Sequence, residues 1–193
     1  MVWGSSGMPR RTIRASLLAV AMLVSTRAHA EEAPQGPSEY QVKAAFLYNF
    51  LKFVDWPATP AEQMGPIELC VLGKDPFGGA LERVVDGKTV NGRPLTIRRI
   101  GDIAAARSCH VLFVSASEAG RVREITKAVH TWSVLTVSEI DRFSERGGIV
   151  TFLMEGQRVR FRINPKAAAS AGLKISSKLL QLAVVRPEDK EKD

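Results

Sequence analysis

The run from Tyr40 to Pro57, YQVKAAFLYNFLKFVDWP, constrains the fold most, because it packs six aromatics into one segment whose two ends are both marked. Ser38 followed by Gln41 makes a capping box at its start. Asp55-Trp56-Pro57 supplies the stop, since the residue before a proline is pushed out of helical space. On a helical wheel Val42, Phe46, Phe50 and Phe53 fall on one stripe, with Asn49 inside its margin. That stripe must face a core, and Asn49 is expected there as a buried amide bonded to a strand or loop backbone. Tyr40, Ala44, Leu47 and Leu51 form a second apolar strip on the far side. The helix therefore packs against two elements, or it offers Tyr40, Leu47 and Leu51 to a partner.

The segment before this helix reads as an export signal. Arg10, Arg11 and Arg14 form a basic region, Ala15 to Val24 a short apolar run, and Ala28-His29-Ala30 the small-x-small pattern of a cleavage site. The apolar run is too short for a membrane span, which needs about 20 residues. Pro9 before the arginine pair and Arg14 after it fit twin-arginine export poorly. The expected organisation is a signal over 1–30, a polar lead over 31–37, one domain over 38–185 and a charged tail over 186–193, with the mature protein in the periplasm. Met8 serves equally well as the start, because residues before it add nothing the signal needs. Loss of the signal takes the 27 basic residues to 23 against 20 acidic ones, so the formal charge of +7 falls to +3. Nucleic acid binding and strongly cationic membrane binding lose their support.

Both cysteines, Cys70 and Cys109, lie in the mature chain, each in a strand-like run: Ile67 to Leu72 and Cys109 to Val114. An even count in an oxidising compartment argues for a disulfide, which two neighbouring strands would allow. Two buried free thiols are the alternative. There is neither a Cys-x-x-Cys nor a histidine pair at ligand spacing, so no metal is expected.

Beyond the first helix the pattern alternates between strand and helix. Strands are expected at 67–72, 92–100, 109–115 and 133–137, with a helix after Gly79, a short alanine-rich helix capped by Asp102, and a helix over about 117–130 carrying Val122, Ile125 and Val129. Such β-α-β units predict an α/β fold, a mainly parallel sheet with helices on both faces in the Rossmann-like or flavodoxin-like manner. The ending differs: Ile149 to Met154, Glu155-Gly156, and Gln157 to Ile163 carry a hairpin signature, so one antiparallel edge should close the sheet. Asn164-Pro165 starts a helix that Gly172 ends, and Ile175, Leu179 and Leu182 begin the last.

Three stretches in order carry a family resemblance: Ala-Phe-Leu-Tyr-Asn-Phe-Leu-Lys-Phe-Val-Asp-Trp-Pro, Cys-Val-Leu-Gly-Lys-Asp-Pro-Phe-Gly, and Phe-Arg-Ile-Asn-Pro-Lys-Ala-Ala-Ala-Ser-Ala-Gly-Leu-Lys-Ile-Ser-Ser-Lys-Leu-Leu-Gln-Leu-Ala. The chain resembles the YfiR family over nearly the whole mature sequence. The resemblance implies a periplasmic α/β domain that restrains an inner-membrane diguanylate cyclase by binding its periplasmic sensor region, or that serves a sensor kinase in the same way. It thus implies control of cyclic di-GMP and biofilm output without chemistry of its own. It also implies that Cys70 and Cys109 are joined, since they match the positions of a family disulfide. Some members carry a second bridge near the late hairpin, where this chain has no cysteine.

Two further constellations are candidate sites. Arg158, Arg160 and Arg162 alternate with Val159, Phe161 and Ile163, sending three guanidiniums to one face of a strand. They bind an acidic partner or anion, or they only keep an edge strand from pairing. Gly73, Lys74, Gly78 and Gly79 lie between a strand and a helix, where backbone N–H groups can hold an anion. The motif lacks the endings of the phosphate-binding loops, and a plain turn is the other reading. Catalysis finds no constellation: Ser115, Ser117 and Glu118 read as a helix cap without a nucleophile elbow, and Glu139 with Asp141 as polar surface. The leading expectation is a non-enzymatic regulator with no cofactor. A small-molecule receptor and a structural partner in an envelope complex are the rivals, and the apolar strips make a homodimer an expectation too.

Overall fold

The computed structural model describes residues 1, 4, 36–57 and 65–184, so the expected signal apart from residues 1 and 4, most of the lead over 31–37, and the tail lie outside the described residues. In chain order the elements are α1 (Glu39–Phe53), β1 (Val54–Asp55), β2 (Ile67–Leu72), α2 (Ala80–Val85), β3 (Thr89–Val90), β4 (Arg93–Ile100), β5 (Val111–Val114), α3 (Val122–Val129), β6 (Leu135–Ser138), β7 (Val150–Glu155), β8 (Arg158–Ile163), α4 (Pro165–Ser170), β9 (Lys174–Ile175) and α5 (Ser177–Leu182). Short 3₁₀ helices precede β5 (Ile103–Ser108) and α3 (Ala116–Arg121). No helix among the described residues is long and apolar enough to cross a membrane.

Seven strands form the main sheet in the order β3-β4-β2-β5-β6-β7-β8. The strands from β4 to β7 pair in parallel. β8 is antiparallel to β7 and β3 antiparallel to β4. The sheet is therefore mixed, antiparallel at both edges, and the expected flavodoxin-like sheet with one antiparallel edge is corrected. The late edge forms as its sequence predicts: Gly156 at φ 60° opens a two-residue turn that sets Glu155 opposite Arg158. The early edge arises from Asn91-Gly92, both at positive φ (53° and 77°), which fold Val90 back onto Arg93. Asn-Gly is the strongest short hairpin signal, and the reading of 92–100 as an isolated strand passed over it. β1 and β9 form a separate antiparallel pair, so Ile175 belongs to a strand and not to the last helix.

Strand alternation builds two cores. Leu69, Val71, Val111, Phe113, Leu135 and Val137 face α1, α2, α4 and α5. Cys70, Leu72, Leu112 and Val114 face α3 and the 3₁₀ helix at 103–108. Helices thus cover both faces, as expected. Toward β7 the second face turns polar, and each hydroxyl there has a local task. Thr136 Oγ1 accepts from Ile149 N at 3.0 Å, and Ser138 Oγ donates to Val114 O at 2.7 Å.

Helix α1 starts as the capping box predicts, with Gln41 N donating to Ser38 Oγ and Ser38 N to Gln41 Oε1 at 2.7 Å. Its face is rotated from the expected one. Ala44, Leu47, Phe50 and Leu51 are buried, Val42 and Phe46 half-buried, and Asn49 and Phe53 exposed. Asn49 is therefore not a buried amide; it sat at the margin of the stripe, and the sheet meets the helix about a quarter turn away. Phe50 stacks on Phe152 at 6.0 Å and meets Phe161 edge-on at 5.1 Å, while Phe46 adds an edge contact to Phe161 at 5.3 Å. These rings fasten α1 to the β7-β8 hairpin.

Replacing Phe50 by Ala should cost about 3 to 5 kcal/mol in urea unfolding, whereas Asn49→Ala should stay within about 0.5 kcal/mol. A Phe50→Ala loss below about 1 kcal/mol would contradict this packing.

Candidate functional site

Two ends of the sheet carry the chemistry-bearing residues. At the amino ends of the parallel strands, Cys70 and Cys109 are joined in a disulfide with their Cα atoms 5.9 Å apart. Cys70 lies within β2, but Cys109 caps the preceding 3₁₀ helix instead of starting the strand, its N donating to Ala106 O at 3.0 Å. Glu68, two residues before Cys70, accepts from Arg98 Nη1 at 2.6 Å and Ser108 Oγ at 2.9 Å. Glu68, Cys70 and Cys109 are the one group among the described residues close enough to hold a metal. Because both sulfurs are consumed in the bond, no thiolate remains there to ligate one.

Beside the bridge, His110 ties several strands together. Its N donates to Glu68 O at 2.8 Å, and its carbonyl accepts from Leu135 N at 2.8 Å and Trp56 Nε1 at 3.2 Å. Its Nδ1 accepts from Glu68 N at 3.1 Å and its Nε2 lies 3.1 Å from Arg93 Nη2. Arg93 also donates to Gly65 O at 2.7 Å and Pro66 O at 3.1 Å. A cleft of about 300 Å³ opens between Trp56, Pro57, Arg93, Arg107 and His110. It offers cations beside an aromatic wall.

The glycine turn lies at the opposite, carboxyl ends. Gly73 has φ 88°, and a Cβ there would come within 2.4 Å of Ser117 Oγ and 2.8 Å of Glu118 Oε1. Lys74 N already donates to Ser117 Oγ at 2.9 Å, and Ser115 Oγ donates to Lys74 O at 2.5 Å. The chain's own side chains fill the turn where an anion would sit. Gly78 and Gly79 lead into α2, a six-residue helix too short to add a useful dipole. Of the two sequence readings, the geometry favours the plain turn.

Also at the carboxyl ends, α1 presents a cluster that the sequence reading missed. Lys43 is only 2 % exposed, and its Nζ ion-pairs with both Glu39 and Glu139. Tyr40 OH donates to Glu139 Oε1 at 3.2 Å, and Lys43 Nζ sits 4.8 Å from the Tyr40 ring centroid. Burial alone would push the Lys43 ammonium down, but the hydrogen bonds and charges of Glu139 and Glu39 outweigh it and hold it above its ordinary value. Burial, followed by the Glu139 charge, raises the Tyr40 phenol. Half of this was legible, since Glu39 and Lys43 stand at i, i+4. Glu139, read from the sequence as polar surface, arrives from the end of β6 and is instead half-buried against Lys43.

As for the proposed partner contacts, Leu47 and Leu51 are buried at 0 % and 2 % exposure, so they belong to the core and not to a docking strip. Tyr40 is half-buried against Phe77, 5.6 Å away edge-on. The three arginines do share one face of β8: Arg158 and Arg160 are exposed and Arg162 half-buried, while Val159 and Phe161 enter the core. Arg160 pairs loosely with Glu155 at 3.7 Å and Arg162 with Glu145 at 3.9 Å. β8 is the last strand of the sheet, and Val184 N donates to Phe161 O at 2.8 Å, so the chain's own end caps part of that edge.

The YfiR/HmsC-like family model matches residues 40–184, which include nearly all of this domain and every strand. The chain belongs to the YfiR/HmsC-like family. No curated protein matches the chain. A crystal structure of a conserved domain protein from Vibrio cholerae O1 biovar El Tor strain N16961 is similar at a TM-score of 0.53 and 13 % identity, over 76 % of this chain. This YfiR/HmsC-like chain spans 60 % of that protein's length, and the likeness is one of fold.

Two outcomes test the site. Cys70→Ala with Cys109→Ala, or reduction of the wild type, should lower stability by roughly 3 to 4 kcal/mol, because the bridge closes a loop of about 40 residues; an unchanged melting temperature with reductant would contradict a structural bridge. Glu139→Gln should cost about 3 kcal/mol near neutral pH, since it strips a buried ammonium of one partner. Because the Lys43 pKa is raised on folding, this contribution is fully present below about pH 10.4 and is lost as pH rises through the folded value. The difference between wild type and Glu139→Gln should therefore be level between about pH 7 and 9 and shrink above about 10.5, as read by urea unfolding.

Proposed function

We propose that the protein is a periplasmic regulator that binds and restrains the sensor region of an inner-membrane signalling protein of the diguanylate cyclase type, and so sets cyclic di-GMP and biofilm output. The observation that carries this reading is the family match across residues 40–184. The disulfide adds support, because such bonds persist in oxidising compartments, and the export pattern over residues 1–30 agrees with it. In this reading the protein acts by contact and needs no cofactor. The cysteine pair supports the fold, and no second bridge regulates it, for the chain has only these two cysteines.

The contact surface follows from what is left exposed. With Leu47 and Leu51 in the core, the arginine face of β8 is the better candidate, since Arg158 and Arg160 stand in solvent with only a loose carboxylate neighbour. An acidic surface on the sensor region would complement it, and steering by such charge acts chiefly on association rate and specificity. The rival reading, a small-molecule receptor, draws on the cleft beside the disulfide, where Arg93 and Arg107 flank Trp56. That cleft sits at the amino ends of the strands, away from the glycine turns where a receptor of this class would be sought first.

Crosslinking in the periplasm should capture an inner-membrane protein with a cyclase or kinase domain, and deletion should raise cyclic di-GMP. Arg158→Glu with Arg160→Glu should weaken that contact at least about tenfold while leaving stability within about 0.5 kcal/mol. Deletion without a change in cyclic di-GMP, together with no inner-membrane partner, would overturn the reading; unchanged partner binding by the charge reversal would remove the β8 surface alone.

A further inference from the structure

Behind the arginine face lies a cavity of about 200 Å³ bounded by Ser144, Glu145, Arg162, Asn164, Pro165 and Lys166. Its polar lining is unbalanced. Ser144 is 4 % exposed, and its main chain is fully held: its N donates to Thr151 Oγ1 at 2.8 Å and its carbonyl accepts from Asn164 Nδ2 at 2.8 Å. The backbone is thereby held, yet Ser144 Oγ has no hydrogen-bond partner among the described residues. Arg162 Nε, on the same cavity, is also buried without one. Leaving a buried polar atom unpaired costs about 1 to 3 kcal/mol, so two of them on one small cavity call for an explanation.

The chemistry of the two atoms narrows what would satisfy them. An arginine Nε–H only donates and a serine hydroxyl can donate, so a single acceptor in the cavity would satisfy both. The surrounding charge sets its sign. Lys166 is exposed at the rim and makes no ion pair among the described residues, and Arg142 and Arg162 share the single carboxylate of Glu145. Arg142 holds that carboxylate, whereas Arg162 reaches it only at 3.9 Å. Cations thus exceed anions at the cavity, and a neutral acceptor would leave that excess unanswered.

We propose that this cavity binds a small oxyanion, a carboxylate or phosphate head, which accepts from Ser144 Oγ and Arg162 Nε while Lys166 supplies further charge. The site goes beyond the regulatory reading, and it joins the arginine face to a ligand: an anion on Arg162 would neutralise one of the three guanidiniums aligned on β8.

The test is isothermal titration and thermal unfolding of the wild-type protein with inorganic phosphate and, separately, acetate, at ionic strength held constant with sodium chloride. Saturable binding with a rise in melting temperature is expected for at least one. Phosphate alone would assign a phosphoryl head, and acetate alone a carboxylate. Ser144→Ala, a small change expected to fold, and Arg162→Lys, which keeps the charge but removes Nε, should each weaken binding about tenfold, the scale of one lost charge-assisted hydrogen bond. Arg83→Lys, exposed on α2 and outside the cavity, should bind as the wild type does. No saturable heat with either anion, or binding unchanged in Ser144→Ala and Arg162→Lys, would overturn the proposal.

Discussion

The structure depends on the seating of helix α1 against the sheet. Leu47, Phe50 and Leu51 are fully buried there, Phe46 and Phe50 lock onto Phe152 and Phe161 of the late hairpin, and Lys43 is drawn in by Glu39 and Glu139. An apolar face alone would let a helix slide or rotate on a sheet of aliphatic residues. Edge-to-face ring contacts and a buried ammonium with two carboxylates each require one position, so together they fix register as well as add stability. β1 and β9 then tie the end of the helix to the chain's last strand, and α5 packs behind it.

That seating decides what remains for function. The apolar strip of Tyr40, Leu47 and Leu51 is spent on the core, and the glycine turn after β2 is filled by Ser117 and Glu118. Two of the polar features left accessible among the described residues bear on function. One is the cleft by the disulfide at the amino ends of the strands; the other is the arginine face of β8, with the cavity at Ser144 behind it. A regulator that works by contact is consistent with this distribution, because the charge lies on an edge that a partner can reach.

The sequence was most readable where the information is local. The capping box at Ser38, the Glu155-Gly156 turn and the Asn164 cap each depend on neighbours within a few residues, and each forms as read. The pairing of Cys70 with Cys109 was legible because an even count left only one partner. Errors came where distant segments decide. The rotation of α1 that exposes Asn49 depends on where Phe152 and Phe161 stand, and Lys43 is buried only because Glu139 comes from nearly a hundred residues away. The mixed sheet is a different case, since Asn91-Gly92 announced the second antiparallel edge locally and the β-α-β rhythm around it masked the signal.

The seating of α1 is tested most directly by native-state hydrogen exchange followed across increasing urea. Amides in the second half of α1, around Leu47 to Leu51, should open only with global unfolding, in step with those of β2 and β5, because the helix cannot leave without exposing the aromatic cluster and the buried ammonium. Exchange of those amides through a sub-global opening several kcal/mol below that of the sheet would contradict the account.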